Sequence, residues 1–236
     1  VLGLWLALRD AGREALVWPA DRPPRRYGFL PAYDTLCGTP PPLAAEDVVV
    51  ALDAASPERM PDELYRRWRE GGAFIVIDHH ASNAGFGVAD WVDGDAPATA
   101  AMVFELLQEM GWRVTPDVAT CLYAGLVSDT GNFSYNNSNE RAFRVAAALV
   151  ACGADAHDVA LKIAASPPIS YINALGTALA RMRTHSAGVV YTYLLQDELR
   201  ACWTAGGEPE GIADYTRRVE GCRVGVLFLE QGDGRV

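Results

Sequence analysis

The sequence has neither an excess of positive charge nor a long apolar run. Its 20 lysines and arginines are outnumbered by 30 aspartates and glutamates, which gives a formal net charge of −10. Duplex nucleic acids are usually bound through a basic surface, so binding to a long duplex is not expected. No apolar stretch approaches the roughly 18 residues of a membrane-spanning helix, so no membrane partner is expected. Small anionic substrates held by metal ions remain compatible with this charge.

The cysteines form neither a zinc-binding pattern nor a recognisable disulfide framework. There are five of them, scattered along the chain, and none is arranged as C-x-x-C. Such an odd, unpatterned set is typical of reduced thiols, and it predicts a cytoplasmic location. The sequence also lacks internal repeats and low-complexity tracts. Its 236 residues, half of them hydrophobic, are enough for one large domain or two modest ones.

Short apolar runs alternate with amphipathic segments, a pattern typical of an α/β fold. Residues 48–53 and 74–78 are predicted to be buried strands, and residues 61–70 the amphipathic helix between them. This order predicts a parallel pair with a right-handed crossover, in a sheet flanked by helices. Residues 15–18 are predicted to form a further short strand. Further helices of this domain are predicted at 1–11, at 95–110, from 115 to about 129, from 139 to 152 and from 155 to about 165.

A second, smaller α/β domain is predicted towards the end of the chain. The proline-containing stretch Ser166-Pro167-Pro168 is expected to end a first domain at 1–165. A linker and helix at 166–184 would lead into the second domain at 185–236, with strands at 188–195 and 222–230. The final Gly-Asp-Gly is typical of a hairpin turn, so this domain is expected to be truncated. The active site is expected in the cleft between the two domains.

Three apolar elements end in an aspartate that small or polar residues follow. These are Asp53, Asp129 and Asp78, and His79 and His80 come directly after Asp78. In open α/β sheets, ligands bind at the carboxyl ends of the strands, so Asp53 and Asp78 are expected to lie close together. Carboxylates suit Mg²⁺ or Mn²⁺, and imidazole favours Mn²⁺. A pair of such ions, about 4 Å apart, can activate a water for phosphoryl displacement. A surface turn with two solvated histidines is the alternative interpretation.

The order and spacing of these segments resemble the DHH phosphoesterases, and among them the nanoRNase and 3′-phosphoadenosine-5′-phosphate (pAp) phosphatase type. The resemblance covers nearly the whole chain and includes the start of a DHH-associated C-terminal domain. The matching segments are 49–53, 77–83, 122–133, Tyr135 with Asn137-Ser138, and 211–222. The order of three separate motifs makes this resemblance more specific than the Asp-His-His tripeptide alone.

The resemblance implies a metal-binding role for three residues. Asp53 would bridge two metal ions, and His79 and Asp129 would hold the second ion together with Asp53. The expected cofactor is a pair of Mn²⁺ ions, with Mg²⁺ as the alternative. The family's first motif, which completes both metal sites, is expected upstream of Val1, and a Gly-rich motif that grips phosphate is expected beyond Val236. The chain is therefore expected to be the core of a longer protein, and a defective family member is the alternative.

The resemblance also implies catalytic and substrate-binding roles. His80 would contact the scissile phosphate, and Asp78 would orient a histidine, so both are predicted to be catalytic. Asn83 and Thr130 would bind substrate together with His80. The alternative for Asn83 is a residue that stabilises a turn, and the alternative for Thr130 is a local backbone cap. His157 and His185, the remaining histidines, are predicted to be solvated.

The resemblance implies hydrolysis of very short oligoribonucleotides, of linear dinucleotides such as pGpG and pApA, and of pAp. The reaction would use water activated by the two metal ions, and the protein could form a homodimer. A manganese inorganic pyrophosphatase shares the Asp-His-His domain, but the match at 211–222 disfavours it because its C-terminal domain differs. The alternative from another class is a non-catalytic nucleotide-binding module that keeps the fold.

Overall fold

The chain divides into two compact units in the computed structural model, residues 1–165 and residues 166–236. The predicted boundary at Ser166-Pro167-Pro168 and the predicted hairpin turn at 232–236 lie outside the described residues. The structure describes residues 1–19, 23–37, 42–44, 47–164, 169–204 and 211–230.

A parallel sheet is the framework of the first unit. Its strands in the described part of this unit are β1 (Val49–Leu52), β2 (Phe74–Asp78) and β3 (Ala89–Val92), in that spatial order. Leu52 pairs with Ile77 and Asp78 pairs with Val92, so the carboxyl ends of the strands lie side by side. The predicted parallel pairing of the first two strands is confirmed.

Helices flank this sheet on both faces. Trp68 of the second helix packs against Phe74 and Val76, whereas Met102 of the third helix packs against Ile77 from the other side. A sheet covered on both faces explains why β2 is a continuous apolar run. The predicted α/β fold with a parallel sheet flanked by helices is confirmed. The helices of this unit are α1 (Leu2–Asp10), α2 (Asp62–Arg69), α3 (Thr99–Glu109), α4 (Pro116–Asp129), α5 (Glu140–Ala151) and α6 (Ala156–Ala164).

Helix α4 is the centre of the largest hydrophobic core. It contacts α1, α3, α5 and α6, and its side chains Val118 and Leu126 have no exposed surface. The Thr115 hydroxyl accepts a hydrogen bond from the backbone N–H of Val118, and Pro116 occupies the first turn, as the sequence predicts. A helix held on so many sides gives the residue at its C-terminal end, Asp129, a fixed position.

Several predicted elements differ from those in the structure. Residues 15–18 form no strand; the Ala15 carbonyl accepts a hydrogen bond from the Trp5 indole, and these residues lie alongside α1 instead. Strand β3 was not predicted, because its Ala-Asp-Trp-Val sequence is only four residues long and is interrupted by the polar Asp90. Helix α3 begins at Thr99 rather than Asp95, since residues 93–98 form a hydrogen-bonded turn first.

The second unit is also an α/β structure. Within its described residues, β5 (Val189–Leu194) lies between β4 (Arg183–His185), which is antiparallel to it, and β6 (Val224–Leu229), which is parallel. His185 therefore lies at the end of a strand that the sequence analysis missed. The helices are α7 (Ile169–Ala180), α8 (Gln196–Thr204) and α9 (Ile212–Arg217), and the core contains Ala174, Ala178, Leu194, Leu199 and Ile212.

In the described part of the chain, no helix combines the length and the hydropathy needed to cross a bilayer.

Helix α9 packs so closely on β6 that Gly225 cannot carry a side chain. A Cβ at this position would collide with Oγ1 of Thr216, a buried residue whose hydroxyl donates to the Ala213 carbonyl. We expect Gly225→Ala to lower the free energy of unfolding by about 1–3 kcal/mol, measured by urea denaturation. Gly176→Ala on α7 is the matched control, since outside its own helical turn no atom of the described residues lies within 4 Å of the added carbon. Equal stability of the two variants would contradict this packing.

Candidate metal centre and catalytic site

The carboxyl ends of β1 and β2 place Asp53 at the centre of the candidate site. The Asp53 N–H donates to the Ile77 carbonyl at 3.1 Å, which continues the strand pairing by one residue. Its φ of +61° is in the left-handed region, which costs about 1–2 kcal/mol for a residue with a side chain. The Thr99 hydroxyl, in the first turn of α3, donates to Asp53 Oδ1 at 2.9 Å. Hydrogen bonding and the positive end of the α3 dipole hold the Asp53 carboxylate in place.

His79 connects the two carboxylates of the site. Its Nε2 lies 3.4 Å from Asp53 Oδ1 and 3.8 Å from Asp129 Oδ2. Its Nδ1 lies 3.4 Å from the Ala96 carbonyl, which can only accept a hydrogen bond. In the neutral ring, a proton on Nδ1 leaves the Nε2 lone pair free to bind a metal ion, whereas in the protonated ring Nε2 donates to Asp53.

His80 is paired with a fully buried carboxylate. Its Nδ1 lies 2.7 Å from Oδ1 of Asp78, and the Asp78 side chain has no exposed surface. The other oxygen of Asp78 accepts a hydrogen bond from the Asn83 amide at 2.7 Å. The pairing fixes the ring and leaves Nε2 of His80, whose side chain is 44% exposed, directed away from Asp78.

Asn83 is engaged by its own neighbours. The hydrogens of its amide go to Asp78 and to the Ala54 carbonyl, and its oxygen accepts from the Gly85 N–H. The residue is 9% exposed. These bonds correspond to the turn-stabilising alternative rather than to the predicted contact with substrate.

Thr130 is also engaged locally. Its side chain is completely buried, and its hydroxyl donates to the Leu126 carbonyl at 2.6 Å and accepts from the Phe133 N–H at 3.2 Å. A side chain without exposed surface cannot contact a substrate in this conformation. These bonds correspond to the alternative interpretation of Thr130 as a local backbone cap at the end of α4.

The donor groups suit a hard divalent cation. Ligand atoms of Asp53, His79 and His80 all lie within 4.8 Å of one another, and Asp129 approaches from the end of α4. Carboxylate oxygens with imidazole nitrogens are a donor set that Mn²⁺, Mg²⁺ or Zn²⁺ accept, so the residues fit a metal centre. The set comes from the ends of β1, β2 and α4, as the sequence pattern indicated.

The charges of the site influence one another strongly. Burial, and then the negative charge of Asp53, raise the pKa of Asp129 to about 6. Burial alone would also raise the pKa of Asp53, but hydrogen bonds from His79 and Thr99 hold it below its usual value. The hydrogen bond with Asp53 in turn raises the pKa of His79. Two carboxylates in one half-buried site favour a cation between them.

Sequence reasoning missed the groups that hold these ligands in position. Thr99 contacts Asp53, the Ala96 carbonyl faces His79, and the Asn137 amide donates to the Asp129 carbonyl at 3.1 Å. Asn137 was noted only as part of a matching segment. Thr99 had a weak signal, because a hydroxyl residue near a predicted helix start often forms a cap, but nothing in the sequence linked it to Asp53.

Comparison with known proteins identifies similar chains. The model of the DHH family, N-terminal domain, matches residues 1–126. The chain is 34% identical to the bifunctional oligoribonuclease and PAP phosphatase NrnA of Thermus thermophilus, over 99% of this chain and 68% of that protein. It is 25% identical to the NrnA of Bacillus subtilis, over 98% of this chain and 72% of that protein. An exopolyphosphatase-related protein from Bacteroides fragilis has the same fold, with a TM-score of 0.86 at 23% identity, over 98% of this chain and 71% of that chain.

Replacement of Asp129 by asparagine tests the electrostatics of the site. A carboxyl group whose pKa is raised from 3.8 to about 6 stabilises the fold below pH 3.8, and this contribution is lost as the pH rises through 6. We expect Asp129→Asn to raise the unfolding free energy of the chelator-treated protein at pH 7.5 by about 1–3 kcal/mol, and to leave it unchanged below pH 4.

A metal ion should stabilise the parent protein and the Asp129→Asn variant to different extents. Mn²⁺ should raise the melting temperature of the parent protein at pH 7.5 and have a smaller effect on Asp129→Asn, because the variant has lost a charged ligand. A variant that is less stable than the parent in chelator at pH 7.5, or equally stabilised by Mn²⁺, would contradict this description of the site.

Proposed function

The chain belongs to the DHH family, and we propose that it is a metal-dependent phosphoesterase that hydrolyses very short oligoribonucleotides and pAp. The observation that carries this proposal is the convergence of Asp53, His79, His80 and Asp129 at the ends of β1, β2 and α4. The name of the Thermus thermophilus relative, which matches nearly the whole chain, supports the same substrates.

Three residues would hold the metal ions. Asp53 has the position expected of a bridging carboxylate, since it follows the end of β1 beside β2 and its Oδ1 lies 3.4 Å from His79 Nε2. His79 and Asp129 would hold an ion together with Asp53. Metal ions bound there would activate a water and neutralise charge on the phosphate. Mn²⁺ is the proposed ion because the donor set includes imidazole, and Mg²⁺ is the alternative.

His80 would donate a hydrogen bond or a proton to the substrate. With Nδ1 bound to Asp78, its Nε2 is the ring atom that can meet a phosphate oxygen or the leaving-group oxygen. The buried carboxylate of Asp78 fixes the orientation of the ring through this hydrogen bond. Asn83 would act through Asp78, whose second oxygen it binds, and not on the substrate itself.

The alternatives have less support. Relatives that match nearly the whole chain are named as oligoribonuclease and PAP phosphatase, which favours this function over a pyrophosphatase. A non-catalytic module has no need for a buried Asp78 that orients a half-exposed histidine. Among the finer points, linear dinucleotides as substrates, a homodimer, a cytoplasmic location and a second domain of DHH-associated type at 185–236 stay predictions.

Hydrolysis of defined substrates tests the proposal. The purified natural protein would be incubated with a 5′-labelled RNA dinucleotide, with pAp and with pyrophosphate. Each would be tested in Mn²⁺, in Mg²⁺ and in chelator. We expect turnover of the dinucleotide and of pAp that requires a divalent ion, with little turnover of pyrophosphate.

Two variants make this assay specific. Asp129→Ala should lower the rate by about 100-fold or more, because it removes a metal ligand. Asp158→Ala on α6 is the control; it removes an exposed carboxylate that pairs with Lys162, and it should leave the rate unchanged. Turnover of pyrophosphate alone, or equal rates for the two variants, would refute the proposed function.

A further inference from the structure

Residues 93–99, which run from the end of β3 to the first residue of α3, touch both halves of the metal centre. The Ala96 carbonyl faces Nδ1 of His79 at 3.4 Å, and the Thr99 hydroxyl donates to Asp53 Oδ1 at 2.9 Å. The segment also passes close to the residue that follows His80, since a Cβ on Gly94 would lie 3.0 Å from the Cβ of Ala81. The segment therefore contributes to the orientation of the His79 ring and the Asp53 carboxylate.

Alternate residues before and within the first turn of α5 hold this segment in a regular ladder. Asn137 donates to the Pro97 carbonyl at 2.9 Å, and Asn139 donates to the Asp95 carbonyl at 3.0 Å. Arg141 pairs with the Asp93 carboxylate at 2.6 Å. Every second residue from 137 to 141 therefore contacts every second residue of the segment, taken in the reverse direction from 97 to 93. We call these three contacts the side-chain ladder.

Asn137 differs from the other members of the ladder because it also reaches a metal-binding residue. Its Nδ2 donates to the Asp129 carbonyl at 3.1 Å as well as to Pro97. Its Oδ1 is buried and accepts no hydrogen bond from the described residues. The opposite orientation of the amide would direct this oxygen at two carbonyl oxygens, so the side chain is held by its donors.

We propose that Asn137 is a positioning residue that fixes Asp129 relative to the His79 and Asp53 half of the metal centre. This inference rests on the proposed function, because it assigns Asn137 to the same site. One amide joins the backbone of Asp129 to the segment that holds His79 through Ala96 and Asp53 through Thr99. Without it, the like charges of Asp53 and Asp129 favour their separation, and a cation that needs both would bind less tightly.

Metal affinity measured without substrate tests the proposal. Free Mn²⁺ would be quantified by electron paramagnetic resonance during titration of the protein at pH 7.5. We expect Asn137→Ala to weaken Mn²⁺ binding by about 10–100-fold, the range for outer residues that orient metal ligands. The loss should appear in affinity and in the Mn²⁺ concentration needed for half-maximal hydrolysis, with kcat largely restored in excess Mn²⁺.

Asn139→Ala is the matched control. Asn139 makes the same kind of amide-to-carbonyl bond in the same ladder and also caps α5 by accepting from the Ala142 N–H, but its side-chain hydrogen bonds to the described residues do not involve Asp129. This variant should lower the melting temperature and bind Mn²⁺ like the parent, because Asn137 and Arg141 still hold the segment on either side. Asn137→Ser, a smaller change, replaces Asn137→Ala if the alanine variant does not fold.

The outcomes are distinct. Parent-like Mn²⁺ affinity in the Asn137 variant, or an equal loss in both asparagine variants, would overturn the positioning role. A parent protein that binds no Mn²⁺ would overturn the metal centre and this role with it. A parent that binds Mn²⁺ but hydrolyses none of the tested nucleotides would refute the proposed function and leave the role of Asn137 to be decided by the affinities.

Discussion

Two carboxylates, Asp53 and Asp129, have to stay close together although their charges repel each other. They come from distant parts of the chain, one from the end of β1 and the other from the end of α4. The repulsion is visible in the raised pKa of Asp129, to which the charge of Asp53 contributes after burial. The surrounding structure therefore has to keep these two negative charges close together when no metal ion neutralises them.

The fold meets this requirement with rigid elements and with local strain. Helix α4 is packed on several sides, and strand pairing joins the ends of β1 and β2. The backbone positions of Asp129 and Asp53 are therefore fixed. Asp53 adopts a left-handed backbone conformation, and so do the successive residues Gly131, Asn132 and Phe133 after α4. These three residues turn the chain so that Asn137 returns to the Asp129 carbonyl.

Aromatic stacking supports this strained turn. The rings of Phe133 and Phe143 stack with their centroids 5.2 Å apart, which helps to keep the unfavourable backbone conformation in place. Strained residues of this kind often lie at functional sites.

The sequence alone predicted the parts of the site that follow from periodicity. Continuous apolar runs that end in aspartate located β1, β2 and the end of α4, and their order suggested the DHH family. Residues such as Thr99 and Asn137 could not be assigned, because their roles depend on which carbonyl or carboxylate they meet after folding. Thr130 shows the reverse case, since it follows the proposed metal ligand Asp129 in sequence but is buried at the end of its own helix. Strands β3 and β4 were missed because short strands with polar residues have no distinctive pattern.

The central claim is that Asp53, His79 and Asp129 together hold a catalytic metal ion. Anomalous diffraction from crystals of the protein grown with Mn²⁺, recorded at the manganese absorption edge, tests it most directly. We expect an anomalous peak within bonding distance of the Asp53 carboxylate and His79 Nε2, with Asp129 as a further ligand. A peak at other residues only, or no peak beside Asp53 in well-ordered crystals, would contradict the account.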